Sequence, residues 1–168
     1  MAGVEVRTLT DGGQPPEQTA HALAEFCGAA KQTLEIAVYD FQLPPDLNAI
    51  VCDELDAAQK RGVAVRLAYN LDHAKAVPVP PPPETNPDAL EAQPFPTAAI
   101  PGVPDLMHHK YVVRDAASVW TGSTNWTADS WIREENVVVT VDSPQALADY
   151  QAAKKAHKAE WRASKSVR

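Results

Sequence analysis

Cysteine, long apolar runs and an apolar leader are scarce or missing in this sequence. Only two cysteines occur, Cys27 and Cys52, and both fall on apolar faces of expected helices. We therefore expect buried free thiols in a reducing, cytoplasmic compartment. No stretch approaches 18 apolar residues, which predicts no membrane span, and the first residues lack the pattern of a secretory signal. No Cys/His cluster has the spacing of a metal site, so no metal or other cofactor is expected.

Positive charge is also scarce, and it is unevenly distributed. The formal net charge is −7, which argues against a protein that coats nucleic acid non-specifically. Residues 151–168 nevertheless hold six basic side chains against Glu160 alone, a balance of +5 that leaves −12 for the remainder. This basic C-terminal end could lie beside a polyanionic substrate, or it could be a solvated helical face and a frayed tail.

Length and patterning indicate one α/β domain. The chain has 168 residues, of which 45% are hydrophobic and 22% charged, values typical of a soluble globular protein with one core. Alternating apolar residues predict strands at 4–9, 33–41, 63–69, 111–114, 118–121 and 137–141. Helices are predicted from Pro15, from a cap at Asp46 to Gly62, and from a cap at Ser143. This order predicts a mixed β-sheet with helices on both faces.

Proline is concentrated in one stretch, residues 77–104, which hold ten of the fifteen prolines. Because proline lacks an N–H and fixes φ, we expect polyproline II or irregular loop there, and neither regular helix nor inner strand. Three interpretations remain open: a surface insertion, a semi-rigid rim beside a site, and a proline-rich ligand for a partner. The last is weakened because no Lys or Arg flanks the four prolines at 80–83.

One string is more specific than the rest of the chain. It reads H-x-K-x4-D-x6-G-S-x-N, and its fixed members are His108, Lys110, Asp115, Gly122, Ser123 and Asn125. Such a match would arise by chance in about one in a million chains of this length. The string resembles the signature of the phospholipase D superfamily, whose members cleave phosphodiester bonds. The residues at 34–41, 61–66 and 134–139 also look like that family.

The resemblance implies covalent catalysis without a metal. A neutral imidazole is not repelled by an anionic diester, so His108 is expected to attack phosphorus. Preorganised donors to the phosphoryl oxygens are expected from Lys110, Asn125, Ser123 and Gly122. Since residues two apart in a strand share a face, His108 and Lys110 should project together while His109 points away.

Two acidic residues are each open to two interpretations. Asp115 is a motif member, and it is equally a turn residue between the strands that flank it; in the family this aspartate is commonly structural. Glu135 resembles the acidic residue that bonds the other nitrogen of the catalytic imidazole and fixes its tautomer. It is alternatively a solvated charge before a strand.

A single motif predicts half of an active site, because cleavage in the family uses two histidines. His73-Ala74-Lys75 also fits H-x-K, but no G-S-x-N follows, and it is taken as coincidence. The resemblance to short, single-motif bacterial endonucleases therefore implies a homodimer with a shared site. We expect a hydrolase of nucleic acid. The alternatives are a phospholipid or other small diester as substrate and, in another class, a non-catalytic binding or dimerisation module.

Overall fold

The structure, a computed structural model, describes residues 3–71, 85–101, 107–143, 145 and 148. Strands and helices are interspersed through this part of the chain. The strands are β1 (Gly3–Leu9), β2 (Thr33–Val38), β3 (Phe41–Gln42), β4 (Ala64–Leu71), β5 (Thr97–Pro101), β6 (Lys110–Arg114), β7 (Ser118–Gly122), β8 (Trp126–Thr127) and β9 (Asn136–Asp142). The helices are α1 (Pro16–Gly28), α2 (Pro45–Lys60), α3 (Pro87–Glu91) and α4 (Ala128–Ile132). None of these described helices is long and apolar enough to cross a membrane.

Seven of the strands form one mixed sheet in the order β1-β9-β7-β6-β2-β4-β5. β2, β4 and β5 run parallel, whereas β6 is antiparallel to β2, and β7, β9 and β1 continue antiparallel. The carboxyl ends of β2, β4 and β7 therefore meet the amino ends of β6 and β9 at one end of the sheet, which we call the motif end. The expected α/β fold with a mixed sheet is confirmed.

Alternate residues of the central strands point into one core, as the period-two pattern requires. Leu34 and Ile36 of β2, Leu67 of β4 and Val112 of β6 are buried there, and the buried residues of α1, α2, α3 and α4 join the same cluster. The two cysteines are free and buried, as expected. Burial raises the pKa of Cys27 to about 12, so this thiol stays protonated and inert at neutral pH.

The start of α2 and the end of β2 differ from the sequence prediction. The N-cap of α2 is Pro44, and Asp46 lies in the first turn without a capping bond, because Pro45 has the φ that the first helical position requires. β2 ends at Val38, so the predicted strand 33–41 is too long. Beyond it, Phe41 and Gln42 leave the sheet and pair with β8, where the Phe41 ring packs on Trp126 with centroids 5.0 Å apart.

The proline-rich stretch is more regular than expected. The expectation of no helix is wrong, since α3 begins at Pro87, where no N–H is needed, and the Asn86 side chain accepts from the N–H of Ala89 at 3.2 Å. β5 is an edge strand, which tolerates proline at Pro101. Residues 77–84 and 102–104 lie outside the described residues, as do His73, the basic end at 151–168 and most of the helix expected from Ser143.

Asp115 lies at the opposite end of β6 from the motif end. Its carboxylate accepts from the backbone N–H groups of Lys31, Gln32 and Thr33 at 2.8, 2.7 and 2.9 Å. Burial opposes the charge, but these donors and the Arg114 guanidinium together lower the pKa of Asp115. Five residues of strand separate Asp115 from Lys110, about 16 Å. The structure therefore supports the structural interpretation of this motif aspartate.

We expect Asp115→Ala to lower the free energy of unfolding by about 1–3 kcal/mol, because three backbone donors lose a charged acceptor. The folded variant should keep most of any activity. Since the folded pKa is depressed, the contribution of Asp115 is present above its unfolded pKa and is lost as the pH falls through the folded value. Urea denaturation at neutral pH and at pH near 3 measures both effects.

A matched control lies in the same turn. Asp115 and Ala116 have φ of 54° and 49°, and alanine is strained there, so Ala116→Gly should raise the free energy of unfolding by about 0.5–1 kcal/mol. An Asp115→Ala protein that is as stable as wild type but inactive would instead give this aspartate a part in the chemistry.

Candidate active site

His108 and Lys110 lie together at the motif end, and both contact the ring of Tyr39. The His108 and Tyr39 ring centroids are 4.6 Å apart in an edge arrangement, and the Lys110 Nζ lies 4.8 Å from the Tyr39 centroid. His109 instead contacts the ring of Tyr111, with centroids 5.7 Å apart. The predicted alternation is confirmed: His108 and Lys110 share one face, and His109 points to the other.

Lys110 carries a partly desolvated ammonium. Lys110 is only 8% exposed. Burial lowers the pKa of Lys110 to about 8, while the carboxylates of Asp40 and Glu134 act in the opposite direction. The ammonium is therefore mostly charged at neutral pH, in surroundings where its field is weakly screened. Such a cation is suited to meet charge on an anionic group.

His108 is largely exposed, but the side of its ring towards Tyr39 is covered. Partial burial lowers the pKa of His108, and the charge of Lys110 lowers it further. The imidazole is therefore neutral at pH 7, the state that a nucleophile requires. Among the described residues, the ring nitrogens of His108 form no hydrogen bond, and the residue is exposed.

Asn125 reaches the site from the loop after β7. The backbone N–H of the next residue, Trp126, donates to the carbonyl of Asp40 at 3.0 Å, which ties this loop to the segment after β2. The Asn125 Oδ1 is buried and has no hydrogen-bond partner among the described residues. A buried polar group left unpaired is costly and is a feature of functional sites. The unpaired atom is the amide oxygen, and the predicted donation from the Asn125 amide nitrogen to a phosphoryl oxygen stays a prediction.

Gly122 and Ser123 hold the loop that presents Asn125. A Cβ at Gly122 would overlap the carbonyl oxygen of Val137, so only glycine permits this close approach to β9. The backbone N–H of Ser123 donates to the same carbonyl at 3.0 Å. The Ser123 hydroxyl donates to Asn136 Oδ1 at 2.6 Å and accepts from the N–H of Val137 at 3.0 Å. The hydroxyl proton of Ser123 thus takes part in the bond to Asn136. A direct contact between Ser123 and phosphate stays a prediction.

The contacts of Glu135 do not support the role that the sequence suggested. Its carboxylate accepts from the backbone N–H of Asp11 at a long 3.4 Å, and the side chain is exposed. A bond between Glu135 and the His108 imidazole is not among the hydrogen bonds of the described residues. Fixing the imidazole tautomer through Glu135 therefore remains a prediction without geometric support.

The neighbouring residue Glu134, unlike Glu135, acts on a residue of the motif. It accepts from the Ser130 hydroxyl at 2.7 Å and from the Asn136 amide at 3.0 Å, and it acts electrostatically on Lys110. Sequence reasoning did not single it out, because Glu134 and Glu135 are adjacent and identical. Only the backbone direction between α4 and β9 distinguishes them.

Three further positions at the motif end were missed. Asn70, buried at the end of β4, accepts the N–H of Met107 through its Oδ1 at 3.1 Å and so fixes the chain just before His108. Tyr39 and Asp40 follow β2. A usable signal existed, because polar residues at the carboxyl ends of adjacent parallel strands commonly converge on a binding site.

The chain was compared with known proteins. A family model described as "Cardiolipin synthase, PLD-like domain" matches residues 23–156. The chain belongs to the phospholipase D superfamily. A mitochondrial cardiolipin hydrolase of Xenopus tropicalis is 29% identical, with 67% of this chain and 49% of that protein covered. One of Chlamydomonas reinhardtii is 24% identical, with 76% and 52% covered. The chain thus spans about half the length of these curated relatives.

Solved structures of the superfamily share the fold. The crystal structure of a phospholipase D family member, Nuc from Salmonella typhimurium, has a TM-score of 0.66 at 19% identity and covers 91% of both chains. NucT from Helicobacter pylori has a TM-score of 0.65 at 16% identity, with 92% of this chain and 94% of that chain covered. At such identities the likeness concerns the fold alone, and the expected phospholipase D-like fold is confirmed.

The pKa of Lys110 predicts an alkaline limit for chemistry at this site. As the pH rises through about 8, the ammonium loses its proton, and the rate should fall by about tenfold per further pH unit if the charge is required. Initial rates measured across neutral and alkaline pH test this. Lys110→Arg stays charged throughout, so whatever activity it retains should not fall near pH 8. An identical alkaline fall in both proteins would assign the limit to another group.

Proposed function

We propose that this protein is a phosphodiester hydrolase that acts through a covalent phosphohistidine at His108. The observation that carries the proposal is the pairing of an exposed, neutral imidazole at His108 with the buried ammonium of Lys110, both against the Tyr39 ring at the start of β6. Membership of the phospholipase D superfamily supports it. The alternative of a non-catalytic module is disfavoured, because the sequence retains every fixed residue of the motif.

The proposed reaction has two balanced steps. An imidazole nitrogen of His108 attacks phosphorus, the bond to the leaving oxygen breaks, and a second histidine, which enters this step as the imidazolium, donates its proton to that oxygen. Water then attacks the phosphohistidine, loses a proton to the second histidine and breaks the phosphorus–nitrogen bond. Lys110 and Asn125 meet the charge on the phosphoryl oxygens, and the proton donor contributes about 10²–10⁴ in rate.

The second histidine is proposed to be His108 of a second copy. The chain carries a single full motif, so a two-fold axis through the phosphate would supply both roles from one sequence. Nuc and NucT cover 91% and 92% of this chain with the same fold. The dimer completes the site.

Nucleic acid is the preferred substrate class. Trp126 and Trp131, the side chains that a lipid could have approached, are 2% and 1% exposed and belong to the core. In the described part of the chain, the exposed large apolar residues are Val4 and Val6 on β1, three strands away from β6. A phospholipid remains the second candidate because the curated relatives are named cardiolipin hydrolases.

A substrate panel tests the proposed function. In EDTA, the purified chain should cleave DNA or RNA, while His108→Ala loses activity by at least about 10³-fold, since the nucleophile is gone. His109→Ala, whose side chain points to the other face, is the matched control and should retain most activity. Alkaline quenching should leave an acid-labile phosphate on His108. Equal losses in the two alanine variants, or phosphate on Ser123 instead, would refute the mechanism.

Salt and membrane composition then separate the two substrate classes. Binding to several phosphates predicts activity that falls steeply with salt and falls again when Lys154, Lys155 and Lys158 are neutralised. Cleavage of cardiolipin-containing vesicles with little salt dependence, and intact nucleic acid in the same assay, would instead establish the phospholipid candidate.

Assembly has its own test. Light scattering at micromolar concentration should give about twice the chain mass of 18.2 kDa. Excess His108→Ala chains, mixed with wild type under conditions where subunits exchange, should poison activity by forming mixed dimers. A fully active monomer would overturn the shared site.

A further inference from the structure

Tyr39 is buried, 6% exposed, and lies directly beside both His108 and Lys110. Its ring meets the His108 ring edge-on, with an interplanar angle of 61°, and the Lys110 Nζ lies over it at 4.8 Å from the centroid. A cation over a tyrosine ring is attracted by the ring's quadrupole, more strongly when water is excluded. An edge-on aromatic contact likewise favours one ring orientation over others. One side chain therefore acts on both groups.

The position of Tyr39 is itself fixed from both sides. β2 ends at Val38, the register partner of Lys110, so Tyr39 is the first residue beyond the sheet. The next carbonyl, that of Asp40, accepts from the N–H of Trp126 at 3.0 Å, and the N–H of Phe41 donates to Thr85 Oγ1 at 3.0 Å. The ring is thereby anchored to the loop that carries Asn125.

We propose that Tyr39 is a positioning residue, whose ring sets the orientation of the His108 imidazole and its separation from the Lys110 ammonium. The inference rests on the proposed phosphodiesterase function. In the proposed steps Tyr39 forms and breaks no bond; it restricts the two side chains that act on the phosphate. Among the described residues, the charged groups that act on this pair are Asp40 and Glu134, which act on Lys110, and Lys110 itself, which acts on His108. A misplacement of about 1 Å costs up to about 10²-fold in rate.

Three variants separate the ring from its hydroxyl and from its volume. Tyr39→Phe keeps the ring, Tyr39→Leu removes it, and Tyr39→Met removes it while filling more of the space, should the leucine variant fail to fold. Each full-length chain is followed by NMR titration of the His108 imidazole, identified by its loss in His108→Ala. The values of kcat and KM are measured on bis(p-nitrophenyl) phosphate.

The variant that keeps the ring should behave differently from the two variants that remove it. Tyr39→Phe should titrate like wild type and keep kcat within about threefold. In Tyr39→Leu and Tyr39→Met, the uncovered imidazole should titrate closer to the ordinary value of 6.5, and kcat should fall by about 10–100-fold with KM changed by less than about threefold. A role in folding alone would move stability but neither the His108 titration nor the ratio of kcat to KM.

Two results would overturn the inference. An unchanged His108 titration in the leucine and methionine variants would show that the ring does not hold the imidazole. A loss in Tyr39→Phe as large as in Tyr39→Leu would assign the effect to the hydroxyl. Because the NMR titration needs no turnover, a wild-type chain that cleaves no diester would refute the proposed function while the titration still decides the part of Tyr39.

Discussion

The antiparallel pairing of β6 with β2, at the centre of the sheet, is the constraint on which the site depends. It sets Lys110 opposite Val38 and so brings the end of β2 against the start of β6. The parallel neighbour β4 places Tyr69 opposite the same Val38, which leaves the next residue, Asn70, able to hold the chain before His108. Slipping this register by one residue would turn His108 to the opposite face and Lys110 away from its carboxylates.

Electrostatic balance at Lys110 follows from that pairing. Desolvation alone would favour the neutral amine, whereas Asp40 and Glu134 favour the ammonium, and the result is a cation close to the point of losing its proton. Its charge in turn lowers the pKa of His108. A buried cation therefore does two things at once in the proposed reaction: it attracts the phosphate, and it keeps the attacking imidazole unprotonated.

Sequence reasoning was most reliable where one short-range rule decides the outcome. The period of two in a strand predicted the common side of His108 and Lys110, and the turn preference of aspartate offered a turn at Asp115 as one of two interpretations. Sequence reasoning failed where contacts between segments that are distant in the sequence determine the local structure. The extent of β2 depends on Trp126, which draws Asp40 out of the sheet, and the difference between Glu134 and Glu135 depends on the chain direction after α4. Local propensity predicts neither the end of β2 nor the difference between the two glutamates.

The bonds around Ser123 give the serine and the glycine of the motif a structural role in this fold. Glu134 holds the Asn136 amide nitrogen, the Asn136 oxygen accepts from Ser123, and Ser123 accepts from the N–H of Val137. Gly122 permits the approach of β9 that this chain of bonds requires. The carboxylate near Lys110 is thus partly satisfied by neutral donors, so it can stabilise the ammonium without cancelling its attraction for an anion. Rigidity of the loop and availability of the cation come from the same residues.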